Sequence, residues 1–337
     1  MPGAIVIAGR DSQEAKRKEL DSSSRLPMER RHRFLAGVEL LGQSLFGRLV
    51  QQLECMTFDR VSVFVHSSLT LDVDDVCEIG AQATTELWRG AERSLVEAKE
   101  AGVDSVLLAQ AGAYVEFDPA DLIQFHRDCG NFITRARDKR GPLDIWVVDP
   151  NVVDESRSLP DSLQDASEPN YWVPGYVNRM ETLRDLRQLV ADGLSLRCGF
   201  RPRGFEVRPG VWMAEGAEVE RGARIVAPAF LGRDVKISEQ CLITRCSNIE
   251  SNCHIDYGTA VEGSSILTGS YVGIGLDLCH SIADGTHLLN LSREVMLEID
   301  DPVVMRQMPQ RSRAEGNRQF PSNFGQGEEI LSAGEKR

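Results

Sequence analysis

Ala4 to Ala8 form a short apolar run that stops at Gly9, and Arg10, Asp11 and Ser12 follow. A charge-rich stretch comes next, with Lys16, Arg17, Lys18 and Arg25. A strand that ends in glycine and passes into a loop can bring backbone N–H groups up to a phosphate. Cations just beyond it can offset the charge. Ala8 and Gly9 are therefore candidates to touch an anionic ligand, and Arg10 and Arg25 are candidates to neutralise it during chemistry. Side chains at the positions after Gly9 limit how closely the backbone can approach a phosphate. The plain alternative for the basic run is a solvated loop.

Those residues need elements to hold them. Ala4 to Ala8 reads as a buried strand. The stretch from Gly37 to Met56 carries Leu41, Leu45, Leu49 and Leu53 at spacing four, the pattern of an amphipathic helix. "RVSVFVH" reads as a strand, "ATTELWRGAERSLVEAKEAG" as a helix and "DSVLLAQ" as a strand. "DPADLIQFHRDCG" reads as a helix with Asp118 as N-cap and Pro119 in its first turn. "NFITRARD" and "LDIWVVD" follow as strands, and "METLRDLRQLVADGLSL" as a late helix. Alternating strands and helices imply a parallel sheet covered on both faces. Ligands of such sheets sit at the carboxyl ends of the strands. Gly9 marks one such end, Gln110 to Ala113 another, and His66 a third. Gln110 and Gly112 thus join the candidate ligand-binding residues, and Asp149 is the acidic candidate at the end of "LDIWVVD".

The second half carries a repeat. Every sixth residue from Val207 is aliphatic or Met: Val207, Met213, Val219, Ile225, Leu231, Ile237, Ile243, Ile249, Ile255, Val261 and Leu267. Four residues after each stands a small or β-branched residue, from Val211 and Ala217 through Cys241, Cys253 and Ser265, until Tyr271 breaks the rule. Neither a helix nor a simple strand has this period. It is the hexapeptide signature of a parallel β-helix, in which three hexapeptides make one triangular coil. The aliphatic residue points into the prism and the small one fits a tight corner. About four coils are expected. "SREVMLEIDD" and "PVVMRQM" could close the last coil, and the Arg-, Gly-, Ser- and Gln-rich end reads as a disordered tail.

Composition sets the class. The chain has 337 residues, 42% of them hydrophobic and 26% charged, ordinary for a globular protein with room for two domains. A net charge of -13 argues against a nucleic-acid partner. No apolar run approaches the roughly 18 residues of a membrane span, so no membrane partner is expected. The amino terminus lacks the pattern of a signal peptide, which implies a cytoplasmic protein. None of the eight cysteines forms a Cys-x-x-Cys pair, so no metal site is expected of them.

Taken in order, "AIVIAG", "VELLGQSLFGRLVQQLE", "SVLLAQAGAYVEFDPADLIQFHRDCG" and "EVRPGVWMAEGAEVERGARIVAPAFLGRDVKI" resemble the sugar nucleotidyltransferases, the nucleotide-diphospho-sugar pyrophosphorylases. The resemblance covers most of residues 1–290. It implies an α/β fold: a Rossmann-like nucleotidyltransferase domain over 1–200, then a parallel, left-handed hexapeptide β-helix over 201–290. A cap over 291–308 and the tail over 309–337 complete the chain. It also implies transfer of a nucleotidyl group from a nucleoside triphosphate to a sugar 1-phosphate, with Mg²⁺ if the protein is active.

The sequence departs from that family where the chemistry lies. The family's loop reads roughly Gly-Gly-x-Gly-Thr-Arg, and here only Gly9 stands. "RLP", Arg25 to Pro27, is similar to the family's Arg-Leu-x-Pro. The family lysine falls near Leu35, with Arg33 the nearest cation, and the metal-binding aspartate falls at Gly112. The expectation is a degenerate pyrophosphorylase-like protein. One alternative is a non-catalytic subunit that binds a nucleotide or nucleotide sugar, alone as a homo-oligomer or with a catalytically active paralogue. Another is a hexapeptide acyltransferase using His254, His280 or His287.

Overall fold

The computed structural model describes residues 3–8, 37–54, 58, 61–66, 77–81, 84–152, 157–164 and 169–309. Gly9, Arg10, Arg25 and the expected tail beyond residue 309 lie outside these.

The first half is built on a seven-stranded sheet. Its strands are β1 (Gly3–Ala8), β2 (Val61–His66), β3 (Cys77–Ala81), β4 (Val106–Gln110), β5 (Ile133–Asp138), β6 (Gly141–Val148) and β7 (Tyr171–Trp172). They lie in the order β7-β5-β6-β4-β1-β2-β3. β1 is parallel to both β2 and β4, and β2 to β3. The sheet is not wholly parallel: β6 runs antiparallel to both its neighbours. Asp138 pairs with Gly141, so only Lys139 and Arg140 join β5 to β6. A link that short can make a hairpin but not a crossover.

Period-two alternation decides which strand residues face which layer. Ala4, Val6, Leu107, Ala109, Ile145 and Val147 face a core with Phe46, Val50 and Leu53 of α1 (Leu45–Glu54) and with Leu122 and Ile123 of α3 (Pro119–Cys129). Ile5, Ile7, Phe64, Leu108 and Trp146 face the opposite core. There they meet Leu87, Trp88, Ala91 and Leu95 of α2 (Thr84–Glu100) and Leu159 and Leu163 of α4 (Leu159–Gln164). Asp118 caps α3 by accepting from Ala120 N–H at 2.9 Å, Pro119 opens it, and Gly130 closes it with φ of 63°. The helix expected to span Leu41 starts only at Leu45. A hairpin, Glu39–Leu40 with Gln43–Ser44, precedes it and turns through Leu41 and Gly42 at φ of 52° and 80°. Gly42 takes that conformation without a Cβ penalty.

The second half is a parallel β-solenoid of about four turns with three sheets. Val211 pairs with Ala229 and Ala229 with Ser247, each one full coil apart. Ile237, Ile243, Ile249, Ile255 and Val261 fill the prism, all at 1% exposure or less. Val207 and Val219, expected inside as well, are 53% and 36% exposed, because no coil lies beneath the first one. After Val261 the phase slips: Ile249 pairs with Ile266, one residue short of a coil. Ile266 therefore enters the prism and Leu267 turns outward. The slip also puts Ser264 and Ser270 at fully buried positions five residues before Gly269 and Gly275, in place of Ser265 and the anomalous Tyr271.

Corner side chains bond the coil above. Ser247 Oγ donates to Val261 O at 3.1 Å, Cys253 Sγ to Leu267 O at 3.1 Å and Thr259 Oγ1 to Gly273 O at 2.5 Å. Small hydrogen-bonding residues suit these corners because each corner leaves a carbonyl to satisfy. Beyond the last coil, a hairpin of His287–Asn290 and Val295–Glu298 extends one sheet, and Met305–Gln307 adds antiparallel to Ser270–Val272.

A separate apolar core joins the two halves. Leu186, Leu189 and Val190 of α5 (Leu183–Leu194), with Leu40, Leu41 and Phe200, pack on the outward-facing Phe230, Leu267 and Ile282 of the solenoid. Thr182 and Asp185 form a capping box that starts α5. No helix among the described residues is long and apolar enough to cross a membrane.

Candidate functional site: a cleft where the strand order reverses

The sheet order runs one way from β1 to β2 and β3, and the other way from β1 to β4. A crevice opens at the carboxyl ends of strands at such a point. Here the chain turns over β1 immediately after β4, with Ala111 N–H donating to Ile7 O at 2.8 Å. A narrow, open cleft lies beside it. One wall is α1, through Leu45, Arg48, Leu49 and Gln52. Gln110, Ala113 and Tyr114 follow from β4, and Leu143, Asp144 and Ile145 from β6 close the other side.

The polar groups of the cleft are held in place. Arg48 Nη2 donates to Gly199 O at 3.0 Å and Nη1 to Gln51 Oε1 at 3.4 Å, so its partners are neutral oxygens. Gln52 Nε2 donates to Phe117 O at 2.8 Å. Tyr114 OH donates to Glu116 Oε1 at 2.9 Å. Burial first, and the Glu116 carboxylate second, push the Tyr114 phenol well above its ordinary range, so it stays a neutral donor. Asp144 accepts from Arg135 Nη2 at 2.9 Å, and Arg135 lies 5.0 Å over the Trp146 ring. The cleft therefore offers an apolar wall, one cation with no carboxylate partner among the described residues, amide groups and one neutralised carboxylate.

The sequence-based candidates fare differently. Gln110 lines the cleft. Gly112 lies exposed in the turn beside it, and a Cβ there would meet nothing within 4 Å, so packing does not demand glycine. Ala8 ends β1 in register with Val65, at the same edge of the sheet. Gly9, Arg10 and Arg25 fall outside the described residues. Asp149 is displaced to the far end of the sheet. β6 is antiparallel, so Val148 pairs with Val106 at the start of β4, and Asp149 follows it there. It caps a short turn, accepting from Asn151 N–H at 2.8 Å. The strand-end reading erred because it assumed that β6 ran parallel.

The three histidines of the acyltransferase alternative have separate surroundings. His254 Nε2 sits 3.1 Å from Ser238 Oγ, His280 is exposed at φ of 47°, and His287 is buried 3.7 Å from Glu298. Arg48, Gln52, Tyr114 and Asp144 were missed as site residues. Arg48 shares the stripe of Leu45, Leu49 and Gln52, set off from the sheet-facing Phe46, Val50 and Leu53, and a cation on that partly apolar stripe was the available signal.

Mg²⁺ wants several oxygen ligands, carboxylates above all. Among the described residues the cleft lining supplies one carboxylate, Asp144, already paired with Arg135. No group of three or more His, Cys, Asp or Glu residues able to hold a metal occurs among the described residues. The cleft residues do not fit the metal.

A larger hollow lies at the amino ends of β1, β2 and β4, with Ser94, Glu97 and Ala98 in its wall and no cation among its described lining residues. No protein-family model matches the chain, and no curated protein matches it in sequence.

Proposed function

We propose that this protein binds a nucleotide or nucleotide sugar in the cleft between α1, β4 and β6, as a degenerate, non-catalytic relative of the sugar nucleotidyltransferases. The observation that carries the reading is the cleft's position and lining. It lies at the carboxyl end of β4, where the strand order reverses, and Arg48 stands in it with no carboxylate partner among the described residues. An apolar wall suits a base or sugar face, and a guanidinium suits a phosphate. The order of an α/β half followed by a solenoid supports the same reading. The pairing of Asp144 with Arg135, and glycine at position 112, favour binding over metal-assisted transfer.

Calorimetry of the purified chain against GTP, UTP, dTTP and their sugar nucleotides, with and without Mg²⁺, tests this. Pyrophosphate release is read from the same samples. Binding without release is expected. Arg48→Ala should weaken it tenfold or more, since a charge-assisted hydrogen bond contributes about 1.5–3 kcal/mol. Magnesium-dependent release would favour a working pyrophosphorylase, with roles for Arg10 and Arg25. No binding to any of these ligands would overturn both readings.

A further inference from the structure

Two glutamates cross the seam between the α/β half and the solenoid in opposite directions. Glu39, on the hairpin before α1, accepts from the solenoid hydroxyls of Ser251 at 2.6 Å and Thr268 at 2.9 Å. Glu250, on the solenoid, accepts from the hairpin's Leu41 N–H at 2.8 Å and Gly42 N–H at 3.0 Å, and from Asn248 Nδ2 at 2.5 Å. Glu250 is fully buried. The facing cation is Arg187 of α5, itself buried. It donates to Asn248 Oδ1, Ser265 Oγ and Cys246 O, each at 3.1 Å, so it bonds to Glu250 only through the Asn248 amide. The buried thiol of Cys253 is the other titratable group facing the carboxylates, and it donates to Leu267 O. The seam thus shields the Glu250 carboxylate and one guanidinium from water and leaves Glu39 half-buried.

We propose that Glu39 and Glu250 form a proton-sensitive latch that ties the solenoid to the hairpin and, through it, to the α1 wall of the cleft. The latch is tight while Glu250 carries a proton and loosens as that proton leaves. A fully buried carboxylate beside a second, half-buried one is costly to ionise. Burial, and then the charge of Glu39, lift the Glu250 carboxyl above the ordinary range, and the three N–H donors only partly oppose this. The sign follows from linkage. A raised folded-state value means that the stabilisation is complete below the ordinary glutamate range and is lost as pH rises toward Glu250's folded value. Leu41 and Gly42 lead within three residues to Leu45, where α1 begins. The consequence for ligand affinity rests on the nucleotide-binding reading, whereas the latch itself does not.

Hydrogen exchange at the Leu41 and Gly42 amides of the full chain, followed from pH 5.5 to 9 without ligand, is the test. After correction for intrinsic exchange, opening should rise with pH, by up to about tenfold per pH unit for one proton. Glu250→Gln should remove that slope. Glu39→Gln should keep the fold and shorten the window at its alkaline end. Carboxyl ¹³C titration of the wild-type glutamates gives a second readout: one resonance should titrate well above the others. Protection at Leu41 and Gly42 that does not depend on pH would overturn the latch, as would glutamates that all titrate in the ordinary range. Neither result bears on nucleotide binding, and failure to bind nucleotides leaves both measurements interpretable.

Discussion

Replacing Phe230 with alanine measures how firmly the solenoid is joined to the α/β half. Phe230 has no exposed surface and points outward from the solenoid into the shared core. Its ring tip lies against Gly42, where a Cβ would come within 3.1 Å of it. An aromatic side chain buries about 150–250 Å². At about 25 cal/mol per Å² that gives roughly 4–6 kcal/mol. The figure is an upper bound, since the denatured chain already hides some of the surface. A rigid site also retains part of the cavity, which brings Phe→Ala costs to about 3–5 kcal/mol. Phe230→Ala should therefore destabilise by about 4 kcal/mol, close to a thousandfold in the folding constant. The control is Phe132→Ala at a side chain 62% exposed, which should cost under about 0.5 kcal/mol. Urea denaturation followed by circular dichroism, with midpoint and slope both fitted, reads the difference. A loss below about 1 kcal/mol with an unchanged slope would mean that the seam is not a packed core, and the latch argument would fall with it.

Two further outcomes follow from buried titratable groups. His126 is 4% exposed, with Nδ1 2.9 Å from Thr134 Oγ1, and burial holds its ring below the ordinary histidine range despite the nearby Asp149. The unfolded chain takes up a proton near pH 6.5 that the folded one resists, so stability should fall as pH drops below that point, by at most about 1.4 kcal/mol per pH unit. This slope is opposite in sign to that of Glu250, and His126→Gln should flatten it in denaturation curves at pH 5 to 7; an unchanged acid limb would refute the assignment. Cys241 and Cys253 sit at 1% exposure in solenoid corners, and burial raises both thiols. A thiol reagent read by mass spectrometry should label the half-buried Cys279 long before either, and equal rates would show that the corners open in the native state.

Several features were legible locally. The hexapeptide period reports a triangular prism because each coil buries its apolar edge only on its neighbours, so the signal recurs along the chain. Tyr271, out of place in the strict repeat, already marked the short coil that Ser264 and Ser270 resolve. Asp118, Pro119 and Gly130 announce α3 because caps act within a few residues. The site was less legible. The parity of "LDIWVVD" gives a strand but not its direction, and that direction moved Asp149 away from the cleft and brought Asp144 into it. Arg48 carries only a faint local mark, its place on a partly apolar stripe, because the partner that fixes it is Gly199, far along the chain.

By itself, then, the sequence determined the repeat, most of its inward residues and most elements of the α/β half, since periodicity and capping are short-range effects. Tertiary structure alone decided which face of the solenoid meets α5, which end of the sheet holds the cleft, and that Glu39, Glu250 and Arg187 share one buried seam. Hydrophobic period tells each element that a face must be buried. It does not tell which partner buries it, and a carboxylate reads as a surface residue until the fold places its donors around it.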